Sequence, residues 1–152
     1  MSELPLPLRE IATNRRARHD FDILDTLECG ISLVGTEVKT LREGKITLSG
    51  SFVGIVDHSF FLYGAHIPEY GQGNLHNHEP SRTRRLLAHK KECKKWEQTC
   101  KEKGLTIIPL KIYFQGKKVK ILIGVARGRK HHDKREHLKK KDADRQIRRH
   151  IR

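Results

Sequence analysis

"LTIIPLKIYFQGKKVKILIGVAR" runs from Leu105 to Arg127, and its second half decides the class of fold. Val119, Ile121, Ile123 and Val125 alternate with Lys118, Lys120, Leu122 and Gly124. A period of two belongs to a strand with one face in a core and the other carrying lysines to solvent or to a polyanion. The run before "QGK" is equally rich in β-branched and aromatic residues, so the two predict a hairpin.

Working outward, "SFVGIVDHSFFLYGAHI" (51–67) reads as another hairpin with Asp57, His58 and Ser59 near its turn. From Phe21 to Glu28, Phe21 and Ile23 alternate with acids before the pattern shifts to Leu24 and Leu27, which predicts a strand with a bulge. Gly30 then predicts a turn into a further strand, "ISLVGTEV", kinked at Gly35. "TEVKTLREGK" is a short helix signal: Thr36 caps it, Val38 and Leu41 share a face, and Gly44 ends it. In a small barrel such a helix plugs one open end. A second helix is expected from about Ser81 to Lys103, where Leu86, Cys93 and Cys100 recur every seven residues with His89 and Trp96 between them, and Gly104 stops it. "IPEYGQGNLHNHEPSR" between them is a loop by its Gly, Asn and Pro content. Six or so strands and two helices, with neither βαβ alternation nor an internal repeat, predict a mainly β fold: a closed or partly closed antiparallel barrel over 14–126. Residues 1–13, with Pro5 and Pro7, read as a flexible arm, and 127–152 as a basic C-terminal tail.

The formal charge of +14 is uneven. From Arg127 onwards there are twelve Lys or Arg against four Asp or Glu, and Leu138, Ile147 and Ile151 are the sizeable aliphatic residues. Such a segment buries too little apolar surface to offset the entropy of ordering it, so it is expected to be disordered alone and to take structure from a partner. A cationic body with a more cationic tail is the footprint of a polyanion binder, since each neutralised phosphate releases a condensed counterion. No apolar run is long enough for a signal peptide or a membrane span, so a cytoplasmic protein with no membrane partner is expected. Cys29, Cys93 and Cys100 lack CxxC spacing and read as reduced, buried thiols rather than a disulfide framework or a zinc knuckle.

Catalytic signals are weak. His76, His78 and Glu79 in a Gly/Asn loop, and the adjacent His131 and His132, are better read as hydrogen-bonding groups than as metal ligands, and "GQGN" lacks the strand–turn–helix of a dinucleotide site. Glu28 or Glu37 as a nuclease base competes with helix capping, pairing with Arg, or accepting hydrogen bonds from guanine or an amide. The expectation is no enzyme, no cofactor and no metal. "NRRARHDF" differs in kind: Asn14, Arg15, Arg16, Arg18 and His19 offer an amide, guanidinium forks and an aromatic ring within six residues, a mixture suited to phosphates and exposed bases together. Contact with RNA is the reading preferred over a solvated basic loop.

"NRRARHDF", "ECGISLVGTEVKTLREGK", "AHIPEYGQGNLHNHEPSRTRRLL", "GLTIIPLKIYF", "KVKILIGVARGRK" and "HDKR" follow one another in order, and together the chain resembles the SmpB family of SsrA-binding proteins, partners of tmRNA in bacterial trans-translation. The resemblance implies an oligonucleotide-binding (OB)-type barrel with flanking helices. It implies binding to the tRNA-like domain of tmRNA, support of its alanylation by alanyl-tRNA synthetase, delivery with elongation factor Tu, and entry into stalled 70S ribosomes. By similarity the tmRNA contacts include Asn14, Arg15, Arg16, Arg18, His19, Glu28, Leu87 and Lys120. The resemblance also implies that the tail, disordered when free, becomes helical in the vacant mRNA channel against small-subunit rRNA of the decoding centre. Arg129, Lys130, His132, Asp133, Lys134 and Arg135 match the family's tail motif, His132 at a position that stacks on a decoding-centre base, and Ile151 is carried over as a hydrophobic anchor. Pairs such as Glu136 with Lys140 support helix there. Thr40 stands where many members have Ser, and His89 is assigned no role. The competing readings are a constitutive rRNA-binding ribosomal or translation-factor protein and a metal-dependent nuclease using Glu28, His76 and His78.

Overall fold

The computed structural model describes residues 8–72 and 76–128. Its elements in chain order are β1 (Leu8–Thr13), α1 (Arg15–Asp20), β2 (Phe21–Ile31), α2 (Gly35–Arg42), β3 (Phe52–Val56), β4 (Ser59–Tyr63), β5 (Arg84–Leu87), α3 (Lys90–Lys103), β6 (Thr106–Gln115) and β7 (Lys118–Gly128).

All pairings are antiparallel, in the order β1-β6-β3-β4-β5-β2-β7, and β7 returns to β6. Six strands therefore close into a barrel, the ring sealed where Val53 of β3 meets Ile107 of β6. Both expected hairpins are present. Asp57 and His58 have φ of 50° and 58°, the left-handed pair that a two-residue turn between right-twisted strands requires. Gly116, with φ 61°, turns β6 into β7. Val119, Ile121, Ile123 and Val125 all point into the main core with Ile107, Ile112, Phe114, Phe60, Leu62 and Trp96. α2 contributes Leu41 to that core, in keeping with a plug. Cys29 and Cys93 are buried and Cys100 partly so; burial, then the neighbouring Cys93, pushes the Cys29 thiol up to about 12, so it packs as a neutral apolar group.

A bulge in β2 between Ile23 and Asp25 confirms the predicted break of pattern. Another in β6 between Pro109 and Lys111 flips the parity of that strand, because proline has no N–H for the ladder. Ile108 and Leu110 consequently face outward and, with Ala126 of β7 and Ala17 of α1, form a second small core flanked by Phe21, Ile23 and Leu122. The outer face of β7 is thus only partly solvated: Leu122 and Gly124 lie beneath this cap. A Cβ on Gly124 would stand 3.1 Å from both Ile23 and Leu110 side chains, close enough that either must give way.

Five expectations are corrected. Arg127 and Gly128 belong not to the tail but to β7, paired with Asp22 and Phe21. Residues 8–13 are not a loose arm but a strand paired to residues 111–115 of β6. Gly30 is not a turn: β2 runs through it to Ile31, and no strand covers 32–38. The helix starts at Lys90, not Ser81, since Arg84–Leu87 alternate buried and exposed as a strand between β4 and β2. α2 is entered from Val34 rather than capped by Thr36; the Val34 N–H donates 3.0 Å to Glu37. Gly104 does end α3, in the left-handed conformation with φ 61°.

A buried ion cluster ties α2 to the chain around β5. Glu37 and Arg84 are both fully buried. Arg82 and Arg84 donate to opposite oxygens of the Glu37 carboxylate, and Arg84 also donates to the carbonyls of Ala65 at 2.8 Å and Pro80 at 2.9 Å. Burial works to raise the Glu37 pKa, but the hydrogen bonds from Arg82 and Val34 and the pairing with Arg84 outweigh it and hold the carboxyl below its usual range.

Candidate nucleic-acid interface

Strand register assembles an outward-facing row from residues far apart in sequence. Leu87 of β5 lies opposite Gly30 of β2, Gly30 opposite Lys120 of β7, Lys120 opposite Tyr113 of β6, and Tyr113 opposite Glu10 of β1. Four inter-strand steps make the row roughly 19 Å long. Glu28, two residues from Gly30 on the same strand face, lies alongside it. Glu28, Gly30, Leu87, Ala88, His89, Glu92 and Lys120 line a groove of about 510 Å³. A second cavity of about 500 Å³, bordered by Leu8, Glu10, Lys111, Tyr113 and Leu122, shares Glu28 with it.

The chemistry of this row is mixed. Leu87 is 54% exposed, a large apolar side chain left outside the core. Gly30 makes room for it: a Cβ there would come within 3.2 Å of the Leu87 Cβ. The Tyr113 hydroxyl donates to Glu28 Oε2. Burial, then the hydrogen bond to Glu28, raises the Tyr113 pKa above its ordinary 10, so the phenol keeps its proton and fixes the carboxylate as an acceptor. Lys120 adds a cation beside Leu87. An apolar contact, an aligned acceptor and an ammonium in one groove are the groups needed to grip a phosphate and an exposed base edge together.

The arginines form a separate patch. On α1, Ala17 is the residue buried against β6, which leaves Arg15, Arg16 and Arg18 exposed. Between Phe21 and Gly30 the strand spans on the order of 30 Å, so this patch and the groove sit near opposite ends of β2. His19 is half-buried, its Nδ1 donating to Asp20 at 2.8 Å. Asn14 anchors the helix: its backbone N–H donates to Leu110 at 2.7 Å and its side-chain amide to Pro109 at 2.9 Å. Asn14 is 9% exposed, so it acts first through the position of α1. Asn14→Ala is expected to cost about 1–2 kcal/mol of stability by leaving a buried carbonyl unpaired, readable as a lower urea midpoint at unchanged m.

The loop histidines do not converge on a metal. His78 is buried, Nε2 donating to the Ile67 carbonyl and Nδ1 meeting the Thr36 hydroxyl, both at 2.8 Å. Glu79 accepts from the Ser81 N–H at 3.1 Å. Among the described residues no three His, Cys, Asp or Glu side chains are grouped to hold an ion, so Glu28, His76 and His78 are not assembled as the nuclease reading requires. Arg129, Lys130, His131, His132, Asp133, Lys134, Arg135 and Ile151 lie outside the described residues. Among the described residues no helix is long and apolar enough to cross a membrane.

Sequence reasoning missed Tyr113 and Gly30. The signal for Tyr113 was Pro109, a proline inside a strand, which marks the parity change that turns the tyrosine, itself still buried at 6% exposure, away from the barrel interior.

The family model described as SmpB protein matches residues 11–152. The chain belongs to the SmpB family. The SsrA-binding protein of Enterococcus faecalis is 51% identical over 137 residues, covering 90% of this chain and 89% of its own length. That of Lactobacillus delbrueckii subsp. bulgaricus is 51% identical over 142 residues and 93% of each chain. That of Chloroflexus aurantiacus is 48% identical over 138 residues, 90% of this chain and 86% of its own. A solved structure described as "tmRNA-SmpB: a journey to the center of the bacterial ribosome" superposes with a TM-score of 0.66 at 45% identity, covering 84% of this chain and 87% of that one. The ring of antiparallel strands with its few helices is the SmpB OB-like barrel that the resemblance implied.

Proposed function

We propose that this SmpB-family chain binds the tRNA-like domain of tmRNA and acts as a non-catalytic adaptor in trans-translation, working in the cytoplasm on ribosomes stalled without a usable codon. The observation that carries the reading is the family match over residues 11–152, which takes in the barrel and the basic tail together. The groove of Glu28, Leu87 and Lys120 and the arginine patch of α1 support it, because they offer base-edge and phosphate contacts near the two ends of β2.

In this reading the barrel holds tmRNA through Arg15, Arg16, Arg18, His19, Glu28, Leu87 and Lys120, with Asn14 positioning α1. tmRNA so held is presented for alanylation by alanyl-tRNA synthetase and for delivery with elongation factor Tu. The segment from Arg129 to Arg135, with His132 against the decoding centre and Ile151 as a distal anchor, enters the mRNA channel of the small subunit. Message still threaded there excludes it sterically, which restricts tagging to empty ribosomes.

A gel-shift titration against the tRNA-like domain and an equal-length control hairpin at two salt concentrations tests the proposal. Preference for the tRNA-like domain that survives the higher salt is the expected result; loss of all preference rejects it. Changing Arg15, Arg16 and Arg18 together to Ala should weaken binding by about 2–4 kcal/mol and reduce the slope of log K against log salt by about two to three. An unchanged slope places the phosphate contacts elsewhere.

A further inference from the structure

A cleft separate from the groove, which shares Asn14 and Arg16 with the α1 patch, lies between α1, the 49–51 turn and the outer face of β3. Its volume is about 290 Å³, and Asn14, Arg16, Asp20, Ser49, Ser51 and Phe52 are among its lining residues. Phe52 is 49% exposed and outside both hydrophobic clusters. It stacks on Tyr63, ring centroids 5.3 Å apart and planes 18° from parallel. Tyr63 in turn lies over Gly54, where a Cβ would stand 2.7 Å from its ring. Glycine at 54 therefore lets the tyrosine lie flat, and the tyrosine braces the phenylalanine. Covering a strand glycine needs one aromatic ring; a second, half-exposed ring facing a cleft walled by an arginine is more than that covering requires.

Resting on the RNA-binding reading above, the geometry points to this cleft as a receptor for one unpaired nucleobase of the bound RNA, stacked on Phe52 with its phosphate beside Arg16. An aromatic face accepts any base, and the neighbouring cations Arg15 and Arg18 on the same short helix draw the strand in. The acid in the wall, Asp20, already accepts from His19, which limits its repulsion of the phosphate. The ligand class is single-stranded or looped-out RNA rather than duplex, whose stacked bases cannot reach the ring.

The test uses the full chain, the tRNA-like domain of tmRNA and a fully paired hairpin of equal length. Phe52→Val keeps a strand-favouring residue at an exposed position, and a thermal melt confirms the fold; Phe52→Leu serves if the valine variant melts early. Either is expected to bind the tRNA-like domain about ten-fold more weakly, with the salt slope and hairpin affinity unchanged, and Phe52→Tyr to bind as the parent does. Undiminished binding by the folded variants, or equal loss on both RNAs, overturns the cleft while leaving the RNA reading in place. If the parent protein shows no preference for the tRNA-like domain, the RNA reading itself falls and the cleft with it.

Discussion

Glu37→Gln should lower the melting temperature by about 10 °C or more. Glutamine keeps the volume and one acceptor but removes the anion, leaving the fully buried Arg84 with an uncompensated charge. Breaking a buried pair by deleting one partner costs about 3–5 kcal/mol, although such a pair is worth far less than that against a well-packed apolar replacement. The cost is structural as well: Arg82 and Arg84 tie α2 to the Ser32, Ala65 and Pro80 carbonyls through this one carboxylate. Acid should reveal the same group. Its folded pKa lies below the ordinary 4.5, so its contribution is complete above 4.5 and is lost as pH falls through the lower, folded value. Chemical denaturation at neutral pH and at several points below 4.5 should show the parent losing stability more steeply than the glutamine variant. Parallel curves would mean that the carboxyl is not held in its charged form.

Cutting the chain after Arg129 should abolish peptide tagging on stalled ribosomes while leaving affinity for the tRNA-like domain nearly intact. The cut removes ten Lys or Arg and four Asp or Glu, a net loss of positive charge that weakens any RNA contact at low salt whatever its specificity. The comparison therefore belongs at moderate or high salt, where the screened tail contributes little to a site on the barrel. Tagging measured in a reconstituted stalled complex, beside a filter-binding titration, separates the two activities. Equal loss of both would show that barrel and tail are not separate modules.

Much of the barrel was legible because local pattern and tertiary environment agree. The alternation from Lys118 to Val125 is real core periodicity, and Asp57-His58 occupies the turn its composition favours. The misreadings have common physical causes. Leu86, Cys93 and Cys100 are seven apart, which mimics one helical seam, yet Leu86 is buried from a strand and Cys93 from a helix that begins after it. Gly30 looked like a turn, whereas its lack of a side chain serves the close approach of Leu87 across the sheet. The interface was legible as residue types on α1, but not as geometry. The row from Leu87 to Glu10 exists through the register of five strands, and the Glu37–Arg84 cluster joins residues 47 positions apart; no local pattern encodes either.

The short strand β1 also bears on how the protein coexists with its own copies. Residues 111–115, "KIYFQ", are a β-prone run whose outer backbone edge is taken by β1, while β3 meets β6 only at Ile107. A bare edge of that composition is a template for intermolecular pairing. β1 replaces it with a six-residue edge that carries Arg9 and Glu10 and is bulged between Glu10 and Ala12, features that discourage a further strand from adding. A chain trimmed to residue 14 would bare that edge, and is expected to self-associate more readily on size-exclusion chromatography than the full chain.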